Sequence, residues 1–169
     1  FGLLYLIIVM GTRIPLATFA RAALPAQAVA FSSRSSLAAL PALIGGARDQ
    51  LHLSEEVTSF VLPLGVSAFK LTAAIYWLIG ALLVARLYGL ELNAGQIATI
   101  AVASVILNAS TPGIPSGGLL IQAPLYTAMG LPLEGLGVLI AIDTIPDMFK
   151  SMINVTADLV VAALLDPPS

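Results

Sequence analysis

The stretch that decides the fold is residues 143–158, which reads DTIPDMFKSMINVTAD. Its polar side chains recur about 4, 7, 8, 11 and 15 residues after the first one, close to the helical period, so they share one helical stripe. Ionisable groups inside a membrane-length helix are costly and normally face a bundle interior or a watery cavity. The stripe therefore predicts a substrate or ion pathway. It consists of Asp143, Asp147, Lys150, Ser151, Asn154 and Asp158.

The composition of the chain is typical of an integral membrane protein. Hydrophobic residues make up 59% and charged residues only 9%, whereas soluble domains carry roughly 25% charged residues. The absence of cysteine excludes disulfides and thiolate metal sites, and the single histidine, His52, cannot form a zinc site alone. The net charge of −2 without a basic cluster argues against nucleic-acid binding. Trp77 and the tyrosines are expected to face lipid or the membrane interface.

Two segments have the pattern of a re-entrant helical hairpin, in which half-length apolar runs flank a polar tip. The first is residues 15–46, with a serine-rich tip at 32–36. The second is residues 97–128, and its tip at 109–118 contains two prolines and three glycines. Each run is too short to cross a hydrocarbon core of about 30 Å, and a non-helical tip at membrane depth must be enclosed by protein.

Two longer apolar runs, residues 57–88 and 131–165, are expected to be broken transmembrane helices. The first is interrupted between Pro63 and Lys70, and the second is expected to break near Pro146. The predicted fold is an all-α membrane protein in which hairpin and broken helix occur twice, as a pseudo-repeat. Paired interrupted segments mark the midplane binding site of secondary transporters, where freed carbonyls coordinate cations and half-helix N-termini attract anions.

Four blocks, in this order, resemble the dicarboxylate/amino-acid:cation symporters, the glutamate-transporter homologues. They are RSS at 34–36 followed by LP at 40–41, FVLPLG at 60–65, TPGIP at 111–115 (usually TAGVP in the family), and DM with NVTAD between 147 and 158. The resemblance implies that residues 1–169 are the C-terminal part of a transport domain, with residues 1–12 the end of a preceding helix. It also implies a missing N-terminal scaffold half, a homotrimer formed through that half, and a prokaryotic inner (plasma) membrane location.

The resemblance further implies a site for a small carboxylate between the two hairpin tips. Ser35 and Ser36 would hold its main carboxylate together with the second tip, and Asp147 would take an amino group or pair with Arg34. Lys150 occupies the position that is usually Arg for acidic substrates, and Lys lacks the bidentate fork of Arg. The expected substrate-binding residues are Arg34, Ser35, Ser36, Ile114, Pro115, Ser116, Gly117, Gly118, Asp147, Lys150, Ser151 and Asn154.

The ion sites that the resemblance implies are altered in this chain. The family's NMDGT motif is replaced by FKLTA at 69–73, and a hard cation needs oxygen ligands, which Phe69 and Leu71 side chains do not offer. We hypothesise that the tethered ammonium of Lys70 replaces a bound sodium, opposite Asp158. Sodium coupling would then be reduced or replaced, with Na⁺ or H⁺ as the coupling ion and no other cofactor. The implied coupling residues are Gly65, Ser67, Lys70, Asn108, Thr111, Asn154 and Asp158, with sodium itself at Asp158.

The sequence leaves several alternatives open. The polar stripe can join packed helices, Lys70 can snorkel, and Ser35 can simply cap a helix. The leading function is symport of an acidic amino acid or C4-dicarboxylate across a lipid membrane by an elevator-type motion. A non-transporting binding or sensor relative, or a degenerate fragment, is the alternative. An intramembrane hydrolase pairing Ser36 or Ser35 with Lys70 is a further one, but the sequence carries no HExxH or GxSxG motif, and no enzyme activity is expected.

Overall fold

The computed structural model describes residues 1–111 and 113–166, and in this part of the chain all regular structure is helical. The helical class expected from the sequence is therefore confirmed. The expectations placed on Pro112 and on residues 167–169 lie outside the described residues. The helices are α1 (Gly2–Gly11), α2 (Leu16–Ser33), α3 (Ser36–Gly45), α4 (Leu62–Ala68), α5 (Ala73–Leu87), α6 (Ala94–Asn108), α7 (Gly117–Leu120), α8 (Ala123–Met129), α9 (Glu134–Ile142) and α10 (Thr144–Leu165), with π-helical turns at Gly46–Gln50 and Val57–Val61.

Helices α2 and α3 form a helical pair that turns at Arg34 and Ser35. Arg34 adopts the left-handed conformation with φ 56°, which ends α2. Ser35 is extended, and its hydroxyl accepts a hydrogen bond from the Ala38 N–H at 3.1 Å, so it caps the start of α3. The pair therefore falls within the segment 15–46 that the sequence singles out.

Helices α6, α7 and α8 form a second helical pair. Asn93 and Gln96 start α6 with a capping box, in which each side chain bonds the backbone N–H of the other residue. The Gln96 amide also donates to the Met129 carbonyl at 3.2 Å, which ties the start of α6 to the end of α8. The two arms are thus antiparallel and joined by the tip between Asn108 and Gly117.

Both long runs are interrupted, and the second break lies three residues before Pro146, near which the sequence predicts it. In the first run, α4 ends at Ala68, Phe69 is extended with φ −131°, and α5 begins at Ala73. In the second run, α9 and α10 meet at Asp143, and Pro146 lies in the first turn of α10. The break thus lies within one turn of Pro146, because proline cannot donate to the carbonyl four residues earlier and is tolerated in the first turn of the helix that follows.

The apolar side chains form two separate clusters, and the helices that build them come from both halves of the chain. One cluster joins α1, α2, α3 and α4 to α10. The other joins α5 and α9 to the second helical pair. Apart from the packing of α2 on α3 within the first pair, the most extensive contacts are of α10 on α2 and of α5 on α6. The first pair therefore rests on the last helix, and the second pair rests on the helix that precedes it.

Two segments are long and apolar enough to cross a membrane by length and composition. They are Val57–Leu87, which includes the break, and Thr144–Leu165. The outward faces of α5 and α6 carry exposed apolar side chains such as Ile75, Ile79 and Val105. Such faces are suited to contact with lipid, which the sequence also predicts.

Two helical glycines test the close packing around the first pair. A Cβ on Gly46 would collide with the backbone carbonyl of Ala22, whereas a Cβ on Gly137 in α9 meets only open space. We expect Gly46→Ala to destabilise the protein by about 1–3 kcal/mol, because backbone must move. Gly137→Ala should be neutral or stabilise by up to about 1 kcal/mol, since Ala favours helix. Thermal unfolding of the full-length protein in detergent measures both, and equal shifts would contradict the close approach of α2.

Candidate substrate and ion site

The helices of both apolar clusters also carry polar side chains, and these line a cavity of about 50 Å³. The cavity has room for a few water molecules. The cavity lies where the two helix pairs meet the breaks in the long runs. The residues expected from the sequence that line it are Arg34, Ser36, Lys70, Thr111, Ile114, Ser116, Gly117, Gly118, Asp147, Lys150, Ser151 and Asn154.

A three-charge cluster occupies one wall of this cavity. The Lys150 ammonium lies 2.7 Å from a carboxylate oxygen of Asp143 and 3.3 Å from one of Asp147. It also lies 3.6 Å from the centre of the Tyr76 ring, a cation–π contact. The Tyr76 hydroxyl donates to Asp143 at 2.6 Å. Because Asp143 is fully buried, its charge is balanced locally by Lys150 rather than by water.

The second tip is bonded to the same two carboxylates. Ser116, in the left-handed conformation with φ 52°, donates its backbone N–H to Asp147 at 3.2 Å and its hydroxyl to Asp143 at 3.3 Å. The backbone conformation of one tip residue thus directs two donors at the charge cluster. The tip is held over the cavity by the acidic residues of the last long run.

The two tips also contact each other directly. The Ser35 hydroxyl donates to the Gly113 carbonyl at 2.6 Å, and the Leu37 N–H donates to the same oxygen at 3.3 Å. A Cβ on Gly113 would lie 2.8 Å from the Ser36 hydroxyl, so a side chain at this position would separate the tips. Ser35 therefore caps α3, which is one of the two roles expected from the sequence, and it also joins the tips. It does not line the cavity.

Lys70 is buried in the break between α4 and α5, with only 4% of its surface exposed. Its ammonium donates to the carbonyls of Val66 and Phe69, the latter at 3.3 Å. These carbonyls lie at the C-terminal end of α4, where helical carbonyls lack intrahelical partners and the helix dipole is negative. The ammonium therefore binds the backbone oxygens that the interruption of the helix leaves free.

The sequence analysis expects Lys70 to lie opposite Asp158, but the two side chains do not form an ion pair within the described residues. Asp158 is buried against α4, where a Cβ on Gly65 would lie 3.1 Å from its carboxylate. Its other oxygen has no hydrogen-bond partner among the described residues. The direct bonds of the Lys70 ammonium are thus to backbone carbonyls and not to the Asp158 carboxylate.

Asn154 connects the last long helix to the same break. Its side-chain oxygen accepts hydrogen bonds from both the N–H and the hydroxyl of Thr72, each at 3.2 Å. Asn154 was expected to contact substrate and sodium. In the structure its oxygen is engaged at the start of α5, while the residue also lines the cavity.

Other expected residues lie elsewhere. Arg34 lines the cavity, but it makes no ion pair within the described residues, and the expected Arg34–Asp147 pair is replaced by Lys150–Asp147. Pro115 and Ser67 are exposed and do not line the cavity, and Asn108 is buried but does not line it either. These positions depend on the path of the tips, which the sequence pattern does not specify.

Three residues that the sequence analysis did not assign to the site belong to it. Asp143 was in the polar stripe but not among the binding residues, although it is the nearer partner of Lys150. Trp77 was expected to face lipid, yet it is 2% exposed and lines the cavity with Tyr76. For Tyr76 and Trp77, the available signal was their position on α5, six and seven residues beyond Lys70.

Comparison of the sequence with known proteins identifies the family. The sodium:dicarboxylate symporter family model matches residues 1–167. This chain belongs to the sodium:dicarboxylate symporter family. Neutral amino acid transporter A of Homo sapiens is 35% identical over 138 residues, which cover 82% of this chain and 26% of that protein. Excitatory amino acid transporter 5 of Mus musculus is 32% identical over 147 residues, which cover 87% of this chain and 26% of that protein.

Membership of this symporter family confirms the resemblance seen in the sequence and implies an integral membrane protein. The chain spans about a quarter of the length of these two relatives. Both relatives are mammalian, so they do not support the prokaryotic inner membrane expected from the sequence. The family's description names sodium. Lys70, whose ammonium binds a backbone carbonyl, is therefore the residue that bears most directly on ion coupling in this chain.

The charge cluster can be tested by a double-mutant cycle on Asp143→Asn and Lys150→Met. Each single change leaves a buried charge without its main partner and should cost on the order of 3 kcal/mol. The double variant should lose at least about 1 kcal/mol less than the sum, since the Asp143–Lys150 interaction is lost in both single variants and is then counted only once. Thermal unfolding of the four proteins gives the coupling. The same cycle on the exposed pair Arg48 and Asp49 is the control and should show no coupling energy. Additive losses at both sites would contradict a stabilising interaction between Asp143 and Lys150.

The contact between tips can be tested with Ser35→Ala. Loss of the hydroxyl removes the α3 cap and the bond to Gly113, and we expect a cost of about 1 kcal/mol. Residues 113–117 should also exchange amide hydrogens faster, because the second tip loses its tether. Ser32→Ala, an exposed serine that bonds only its own helix, is the matched control. Unchanged exchange in the second tip of Ser35→Ala would show that the tips are held together by other contacts.

Proposed function

We propose that this chain is part of a secondary active transporter that moves a small carboxylate across a membrane. The observation that carries the proposal is a charged cavity enclosed by two helical tips and two broken helices in a chain of the sodium:dicarboxylate symporter family. Interrupted helices around a polar midplane site are the arrangement on which secondary transporters rely. In this proposal the two helical pairs are re-entrant hairpins, and with the two broken helices they form a pseudo-repeat.

The substrate in this proposal is an acidic amino acid or a C4-dicarboxylate. Lys150 supplies the cation for one carboxylate, and Asp147 supplies the anion for an amino group. Both side chains line the cavity, and both would have to exchange partners, since Lys150 now contacts Asp143 and Asp147. The second tip would close over the substrate, with the Ser116 N–H and the glycines beside it facing a carboxylate. The names of the relatives, which transport neutral and excitatory amino acids, support a substrate with an amino group.

Ion coupling in this proposal is reduced or replaced by Lys70. Its ammonium binds the freed carbonyls of Val66 and Phe69 and lies within electrostatic range of Asp158. A bound sodium at this position would need those same oxygens, so ammonium and ion compete for one set of ligands. The remaining driving ion is then a proton, or a sodium ion bound at a different place.

The motion in this proposal is of the elevator type, in which the helices around the cavity move as one body against a scaffold. The exposed apolar faces of α5 and α6 would contact lipid and that scaffold. A homotrimer formed through the scaffold half completes the proposal. The prokaryotic inner membrane stays a prediction from the sequence.

Transport and its ion dependence can be measured by uptake of radiolabelled aspartate and succinate into proteoliposomes containing the full-length protein. We expect uptake that responds to a proton gradient and hardly to a sodium gradient. Lys70→Met should reduce this uptake by at least about tenfold, since it leaves Asp158 and the carbonyls of α4 without a cation.

Lys150→Met is the matched control, because it removes a cation from the substrate side of the same cavity. It should abolish uptake of both compounds under every gradient, whereas Lys70→Met should change the ion dependence. Sodium-driven uptake that is indifferent to Lys70 would refute the replacement. Binding of a carboxylate without any uptake would favour the alternative, a non-transporting sensor relative.

A further inference from the structure

Trp77 forms part of the wall of the cavity without using its own hydrogen-bond donor. It lies on α5 beside Tyr76, lines the cavity and is only 2% exposed. Its indole N–H donates but cannot accept, and a buried indole normally has a partner. The neighbouring Tyr76 hydroxyl donates to Asp143, whereas the indole N–H has no hydrogen-bond partner within the described residues. Trp77 therefore presents a donor that is left for a ligand.

The indole nitrogen lies against the second tip at Gly118. This glycine belongs to α7 and also lines the cavity. A Cβ on Gly118 would lie 3.2 Å from the Trp77 indole nitrogen and 3.0 Å from the methyl carbon of Thr111. A side chain at this position would therefore push both residues away. The two side chains thus approach the same point on the cavity wall, and the glycine allows them to do so.

The hydroxyl of Thr111 is a second polar group that the described residues leave without a partner. Thr111 is buried and lines the cavity, and its hydroxyl oxygen makes no hydrogen bond among those residues. A buried polar group that stays unpaired costs free energy, and a hydroxyl is able to donate as well as accept. Two uncharged donors therefore stand next to each other at Gly118, and a ligand with an acceptor atom would satisfy both.

The cations of the cavity are separate from these two donors. The cationic side chains that line the cavity are Arg34, Lys70 and Lys150. Lys150 is bonded to carboxylates and Lys70 to backbone carbonyls, and Arg34 lies at the turn of the first helical pair. A cation attracts a ligand through its negative charge, whereas an uncharged donor requires only an acceptor atom. Trp77 and Thr111 therefore add a requirement that differs from charge.

We propose that Trp77 and Thr111 form a neutral subsite that binds an oxygen atom on the side chain of the substrate, with Trp77 as a specificity-determining residue. A site built to hydrogen-bond one group of a substrate rejects the analogue that lacks this group, because the buried donor is then left unpaired. Since both donors are uncharged, the subsite selects for an acceptor oxygen and not for a negative charge. A carboxamide side chain is therefore accepted as well as a carboxylate, and an alkyl side chain is disfavoured.

This inference rests on the proposed function, because it places the substrate in the cavity that Trp77 lines. It deepens that function by stating which atom of the substrate side chain is recognised and by which residues. The two proposals fail separately, since the subsite is tested by binding and the transporter by uptake. Uptake of aspartate that does not depend on Trp77, and binding at Trp77 without uptake, are distinct results.

The experiment is calorimetric titration of aspartate, asparagine and alanine into the purified full-length protein in detergent. The three compounds share the amino-acid backbone and differ in the side chain, which is a carboxylate, a carboxamide or a methyl group. Wild type should bind asparagine about tenfold more tightly than alanine. Trp77→Phe keeps an aromatic ring and deletes the N–H, and it should remove most of this margin. Thr111→Val, which replaces the hydroxyl by a methyl group, should reduce it as well.

Two controls separate the subsite from charge and from general damage. The preference for aspartate over asparagine reports charge, so Trp77→Phe should leave it unchanged. Tyr88→Phe deletes an exposed hydroxyl at the end of the same helix and should keep all three affinities. Equal binding of asparagine and alanine by wild type would overturn the subsite alone, as would a margin that persists in both Trp77→Phe and Thr111→Val. If wild type binds none of the three compounds, the subsite and the proposed amino-acid substrate are both overturned.

Discussion

The rest of the structure depends on one constraint: a helix that is broken inside an apolar environment needs hydrogen-bond partners for its freed backbone groups. Backbone groups freed at membrane depth must be satisfied by protein. Between α4 and α5 this is done by the ammonium of Lys70 for the carbonyls and by the amide oxygen of Asn154 for the Thr72 N–H. Because Asn154 belongs to α10, its hydrogen bonds to Thr72 also tie the second broken helix to the first.

The same requirement assembles the cavity from parts that are incomplete alone. The second tip has donors at Ser116 and a carbonyl at Gly113, and it finds their partners on α10 and at Ser35. The carboxylates of Asp143 and Asp147 find theirs in Lys150. A site that is held together by such reciprocal contacts can open only by exchanging partners, and a charged ligand is able to drive that exchange by taking over the same bonds.

Much of this arrangement could be predicted from local pattern, and the exceptions have physical causes. The helical pairs and the first break were predicted because half-length apolar runs, proline and glycine act over a few residues. The second break was predicted near Pro146 because proline cannot donate to the carbonyl four residues earlier, and it lies at Asp143. Trp77 was misassigned because an aromatic side chain is equally suited to lipid and to a cavity wall, and only the packing of α5 on α6 decides between them.

The sequence by itself determined the membrane character, the helical class, the polar stripe and the replacement of a family ion motif by a lysine. Each of these follows from composition, from helical periodicity or from a motif within a few residues. Only the tertiary structure decided that Lys150 pairs with Asp143 and Asp147, so that Asp147 does not pair with Arg34. It also decided that Lys70 binds a backbone carbonyl instead of pairing directly with Asp158. Lys150 and its two partners lie close together in the sequence, but which groups a charge contacts depends on distance and burial in the folded chain, where Tyr76 and Ser116 bond to the same carboxylates.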